Sequence, residues 1–169
     1  CYNDESLGDA WRHHFHELPG VRIVGADICS VDCDAVVCPA NSFGFMDGGL
    51  DRALSERFGW SLEQRVKQII QDRPLRELLV GESMVVPTED ARIPWLICAP
   101  TMRVPMQIRS SVNAYLAMKG ILVAAKAHRE VPLIQTVAIP GLGTGIGRLA
   151  PELSAGQMAQ AYREVMLDE

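Results

Sequence analysis

No stretch of this sequence approaches the ~18 consecutive apolar residues of a membrane-spanning helix. Runs such as Ile121 to Ala125 stop far short. The amino-terminal stretch lacks the apolar core of a secretory signal, because Asp4, Glu5, Asp9, Arg12 and three histidines interrupt it. Positive charge is scarce too: 16 Lys and Arg stand against 21 Asp and Glu, for a formal net charge of -5. With a pI near 5.4, the chain has no basic excess with which to hold duplex DNA or RNA by phosphate neutralisation. Nucleotide-sized anions stay open, since backbone N–H groups bind them without net positive charge. The five cysteines are odd in number and form no CxxC pair, so a disulfide scaffold is a poor reading and a reducing cytoplasm fits best. Cys29, Cys33 and Cys38 with His13, His14 and His16 match no zinc-ligand spacing, and no metal or cofactor is expected. Linkers, low-complexity tracts and internal repeats are absent as well.

What is present suits one globular domain. At 169 residues and 48% hydrophobic, folding buries roughly 70% of the surface of the unfolded chain, enough for a core without staples. The expectation is a single monomeric domain over residues 1–169, with 1–20 as an N-terminal helical extension. Leu7, Trp11, Phe15 and Leu18 recur at helical spacing behind Asp4 and Ser6 and ahead of Pro19-Gly20. Val21–Val24 and Ala35–Cys38 read as buried strands. Helical segments are expected from Asp51 to Phe58, with Gly59 as the stop, and from a Ser61/Gln64 capping box to about Asp72. Strands follow at Ser83–Pro87 and Trp95–Ala99, then a long helix over Ile108–Arg129 and a strand over Thr136–Ile139. Pro151 opens a last helix on which Met158, Tyr162, Val165 and Met166 share a face. Trp11, Trp60 and Trp95 read as core residues. This alternation predicts an α/β fold with helices on both faces of a mostly parallel sheet.

Two glycine-bearing loops follow predicted strands. The second, Gly141-Leu142-Gly143-Thr144-Gly145-Ile146-Gly147, is neither a P-loop nor a dinucleotide fingerprint, yet its amides can turn inward around an oxyanion. A plain tight turn accounts for it equally well. The first, Asn41-Ser42-Phe43-Gly44-Phe45-Met46-Asp47-Gly48-Gly49-Leu50 with Asp51, carries glycines and polar groups that suit a sugar-phosphate cleft. In open α/β sheets ligands bind beyond the carboxyl ends of strands, which is where both loops are expected.

The run Ala26-Asp27-Ile28-Cys29-Ser30-Val31-Asp32-Cys33-Asp34-Ala35-Val36-Val37-Cys38-Pro39-Ala40-Asn41 resembles the opening strand, turn and NAAN strand of the macro domains, a family that binds ADP-ribose. Gly48-Gly49-Leu50-Asp51 is similar to that family's GGGVD loop, and Ile139 to Gly147 to its second phosphate loop. The resemblance implies a three-layer α/β/α fold with a mixed, mostly parallel central sheet, and ADP-ribose or an ADP-ribosylated protein as partner. It implies that Asp27 accepts a hydrogen bond from the adenine amine while the Ile28 backbone meets the ring. Gly48, Gly49, Leu50, Gly141, Gly143, Thr144, Gly145, Ile146 and Gly147 would then cradle the diphosphate. Asn41 would hold the distal ribose and Phe43 wall it. In the family's hydrolase branch, residues placed as Asn41 and Asp51 are catalytic, the acid orienting water that cleaves an ADP-ribosyl ester; the alternative is a non-catalytic reader of ADP-ribose. Each residue also has a local reading: Asp27 closes a turn, Asn41 caps its own loop, Phe43 anchors it, and Asp51 serves the start of a helix. Four positions depart from the family pattern: Ala26 before the turn acid, Cys38 for the first Asn of NAAN, Ser55 for a His four residues past the acid, and Arg148 where an aromatic often follows the second loop.

Overall fold

The computed structural model describes residue 1 and residues 3–169. Among these the chain forms strands β1 (Ala35–Cys38), β2 (Met84–Pro87), β3 (Trp95–Cys98) and β4 (Val137–Ala138). Interleaved with them are helices α1 (Glu5–His14), α2 (Gly49–Phe58), α3 (Trp60–Gln71), α4 (Asn113–Ala127) and α5 (Pro151–Tyr162). The strands lie in the order β2, β3, β1, β4; β1 is parallel to both neighbours, and β2 is antiparallel to β3.

Side chains alternate across a strand, and both faces of this sheet are covered. Ala35, Val37, Trp95 and Ile97 pack with Leu7 and Trp11 of α1, Met118 and Ile121 of α4 and Met158 of α5. Val36, Cys38, Leu96 and Cys98 pack instead with Leu54 of α2 and Leu62, Val66 and Ile70 of α3. Each fully buried aliphatic side chain contributes about 1.5–3 kcal/mol over its exposed state. The result is the expected three-layer α/β/α architecture with a mixed, mostly parallel sheet. No helix among the described residues is long and apolar enough to cross a membrane.

Several boundaries differ from the sequence pattern for identifiable reasons. Helix α1, capped by the Asp4 carboxylate on the Ser6 amide, stops at His14 because Glu17 takes a left-handed conformation at φ 66. Val21–Val24 is irregular chain and no strand; β4 pairs over only two residues, and its side away from β1 borders a cavity of about 580 Å³. Asp34 holds β4 in register all the same, since its Oδ2 accepts from the amides of Gln135 and Thr136 and the hydroxyl of Thr136 at 2.7–2.9 Å. Helix α3 begins at Trp60 with Gly59 at φ 93 ending α2 and starting α3, so the Ser61/Gln64 capping box does not form. Trp60 is 48% exposed, against expectation, while Trp11 and Trp95 are buried. Helix α4 starts five residues later than the pattern suggests, at Asn113 instead of Ile108, because the Ile108 amide donates to the Gly147 carbonyl at 2.7 Å.

Candidate functional site

Strands β1 and β4 are adjacent and parallel, so the two glycine loops leave the same end of the sheet side by side. A third segment, after β3, braces both. Asn41 bridges to Met102, and the Ser42 amide donates to the Arg103 carbonyl at 3.2 Å. At its other end Ile108 hydrogen-bonds Gly147 and packs against Gly143. Arg103 stacks over the half-buried Phe43 ring, 5.0 Å from its centroid. Exposed Phe45, Val104, Met106 and Ile146 add apolar surface from the three loops. Sequence reasoning passed over the Arg103-Val104-Pro105-Met106 stretch, whose only signal is a cluster of apolar residues where no regular element is expected.

Asp51 lies in the first turn of α2, but it does not cap the helix. The N-cap is Gly48, with no side-chain cap bond, and Asp51 Oδ1 accepts a hydrogen bond from the Cys38 thiol at 3.1 Å. Burial is the main cause that pushes the Asp51 carboxyl up to about 6, with the thiol hydrogen bond opposing and the Asp47 charge reinforcing the shift. Cys38 itself is fully buried at the carboxyl end of β1, opposite Cys98 of β3. Contact with Cys98, burial and the Asp51 charge hold its thiol well above the usual range, so it is a hydrogen-bond donor and not a nucleophile. Ser55, one helical turn further along α2, is buried and donates to the Met46 carbonyl at 3.2 Å, tying the helix to the loop that precedes it.

The Asn41 amide is engaged within its own loop. Its Oδ1 accepts from the Phe43 and Phe45 amides at 3.0 and 3.4 Å, and its Nδ2 donates to the Phe45 carbonyl at 3.1 Å. Asp27 is exposed and caps a short 3-10 turn, Ile28–Ser30, by accepting from the Cys29 amide at 2.9 Å. Ile28 buries its side chain in the core beneath, and Leu50 packs half-buried against the same cluster.

The glycines of the two loops divide into two kinds. A Cβ on Gly141 would lie 2.5 Å from the Leu7 side chain, one on Gly143 2.8 Å from Ile108, and one on Gly147 2.5 Å from the Gly143 carbonyl. At Gly147 the neighbour is backbone and cannot give way, at Gly143 a φ of 76 adds to the crowding, and at Gly141 the Leu7 and Thr144 side chains would have to move. At Gly48, Gly49 and Gly145 a Cβ would meet nothing within 4 Å. Their bare backbone faces open space at the sheet's carboxyl end, as an approaching anion requires. Thr144 is half-buried between the two kinds. The large cavity beside β4 is a different feature: Trp11, Phe15, Ile23, Val137, Ile139 and Met158 give it a mainly apolar wall away from these loops.

A family model described as Macro domain matches residues 37–158. The chain belongs to the Macro domain family. An uncharacterized protein of Aquifex aeolicus is 29% identical over 144 residues, covering 85% of this chain and 81% of its own length. Among solved structures, the macrodomain of Mycobacterium tuberculosis DarG superimposes with a TM-score of 0.69 at 20% identity, over 82% of this macro domain and 87% of that chain. Thermosipho africanus DarTG in complex with ADP-ribose gives a TM-score of 0.69 at 17% identity, over 85% of this chain and 38% of the other. At these identities the structural likeness establishes the macro-domain fold alone.

Proposed function

We propose that this macro domain binds ADP-ribose between its two glycine loops and hydrolyses ADP-ribosyl esters. The substrates would be mono-ADP-ribosylated Asp or Glu side chains, or O-acyl-ADP-ribose. The observation that carries the proposal is Asp51, a half-buried carboxyl pushed up to about 6 beside glycines whose backbone faces open space. Membership of the family and the ADP-ribose held by the Thermosipho relative support the ligand. In this reading the open amides around Gly48, Gly49 and Gly145 receive the diphosphate, and exposed Asp27 takes the adenine amine. Asn41 keeps the ribose end of the loop in shape through its bonds to Phe43 and Phe45. Above its pKa the Asp51 carboxylate orients a water and accepts its proton. The water oxygen adds to the ester carbonyl carbon, the bond from that carbon to the ribose oxygen breaks, and the ribose oxygen takes up the proton held by Asp51, leaving a free acid and ADP-ribose. Amides of the glycine loops stabilise the charge that develops.

The alternative, a reader that binds without turnover, draws support from the engaged amide of Asn41 and from Cys38 standing where the family has Asn. Calorimetry with ADP-ribose against ADP and ATP, paired with release of ADP-ribose from a glutamate-modified protein, separates the two. The expected outcome is that Asp51→Asn retains ADP-ribose affinity while turnover falls by about 100- to 10,000-fold. Turnover by the unsubstituted protein should rise through pH of about 6 and then level. Binding with no product release at any pH assigns the domain to the readers.

A further inference from the structure

Helix α1 ends, and helix α5 begins, on one patch that does not include Asp51. His13 and His14 occupy the last turn of α1, and Glu152 the first turn of α5. Glu152 Oε2 lies 2.8 Å from His14 Nε2 and 3.6 Å from His13 Nδ1, and one donor atom from each residue falls within 4.8 Å of the other two. Two ligands about 2.1 Å from a tetrahedral zinc ion stand about 3.4 Å apart. The two contacts to the carboxylate bracket that spacing.

From this geometry we propose that His13, His14 and Glu152 form a divalent transition-metal site that staples α1 to α5. Two imidazoles and one carboxylate suit zinc, with nickel and copper as chemical relatives, and do not suit calcium or magnesium, which seek all-oxygen shells. The His14 ring is seated against α5, not loose on the surface: a Cβ on Gly156 would lie 3.2 Å from its Cε1, and its side chain is only 29% exposed. Any larger residue at position 156 crowds the ring. The Arg163 guanidinium, on the chain just beyond α5, donates to the His14 carbonyl at 3.4 Å and ties the end of α1 to that segment. His13 and Glu152 are exposed, which leaves room for water as the fourth ligand.

The consequence of occupancy is mechanical. Leu7 of α1 packs directly beneath Gly141, and α5 starts a few residues after Gly147. A metal joining the far end of α1 to the start of α5 therefore braces the second glycine loop on both sides. This holds whatever the cleft binds.

Zinc titration of the chelator-treated protein by calorimetry tests the site, with cobalt(II) absorption as a spectroscopic readout. The expected result is one ion per chain, a melting temperature that rises with zinc, and cobalt bands without a thiolate charge-transfer component. Glu152→Gln, a surface change, and His14→Ala, at the half-buried ring, should each weaken zinc by at least about tenfold and abolish the thermal shift, while His16→Ala leaves both intact. The proposal is overturned if zinc in excess is not taken up, or is taken up only at several weak sites. It is equally overturned if the two variants bind as the parent does, or if a thiolate band places the ion on cysteine.

Discussion

The two glycine loops leave the same end of the sheet and share a composition, yet packed and open glycines are weighted differently in them. In the second loop three of four glycines are dictated by neighbours, with Leu7 against Gly141, Ile108 against Gly143 and the Gly143 carbonyl against Gly147. In the first loop Gly44 is closed in by Val66 and Ile70, whereas Gly48 and Gly49 meet no neighbour, and the loop ends at a carboxyl whose burial disfavours its own charge. The second loop is mainly scaffold, and the first ends in open backbone beside a carboxyl held against its own charge. A glycine count cannot separate these cases; the space around each Cα does.

The largest expected effect tests the second half of that contrast. Asp51 titrates near 3.8 when unfolded and at about 6 in the fold, so below both values the carboxyl is protonated in both states and costs nothing. As pH rises between them, the unfolded chain loses its proton first and stability falls. Asp51→Asn should therefore stabilise the protein by about 3 kcal/mol above pH 6, a gain that shrinks as pH drops and vanishes below about pH 4. Denaturant midpoints at pH 4 and pH 8 measure it. A variant no more stable at pH 8 than the parent would mean that the site is not strained and that the two loops are alike.

The next effect tests the first half. Gly147→Ala places a methyl 2.5 Å from a backbone oxygen that has little freedom to move, and overpacking of this kind costs about 1–3 kcal/mol. Gly145→Ala, two residues away in open space, should stay within about 0.5 kcal/mol. Gly48→Ala, at a helix N-cap with an ordinary φ of -131, should cost under about 1 kcal/mol and show itself as weakened ADP-ribose binding. Chemical denaturation of the three variants, with calorimetry on the two mild ones, decides the matter. Equal stability losses at positions 145 and 147 would erase the distinction.

Most of the architecture was legible because it rests on local patterns. The β1, β2 and β3 runs and the Pro151 start of α5 stand within a residue of expectation, since burial on both faces and a preset φ leave local traces. Elements that depend on a partner were not legible. Val21–Val24 has the composition of a strand but forms none, and Ile108 leaves its helical pattern for a hydrogen bond to Gly147, 39 residues away. The candidate site divides in the same way. Both glycine loops and Asp51 were visible as motifs, whereas the bracing segment Met102–Ile108 and the thiol hydrogen bond to Asp51 required the fold. The meeting of His14 with Glu152 spans 138 residues and leaves no sequence spacing to read.

The smallest effect belongs to that thiol and is the most informative about how Asp51 is tuned. Where the family pattern has an amide, Cys38 offers one weak S–H donor, and it is the contact that draws the Asp51 carboxyl downward against burial and Asp47. Cys38→Ala removes the donor and leaves the carboxyl to those two influences, so the acidic limb of the turnover profile should move upward from about 6, by less than one pH unit because a thiol bond is weak. Cys38→Ser keeps a donor and should hold the limb in place or lower it, although the buried hydroxyl costs stability. A purely structural role for Cys38 would reduce turnover at every pH in proportion and leave the limb where it was. Movement of the limb in the alanine variant, with its position restored by serine, would locate the control of Asp51 in a single hydrogen bond reaching from the end of β1 to the start of α2.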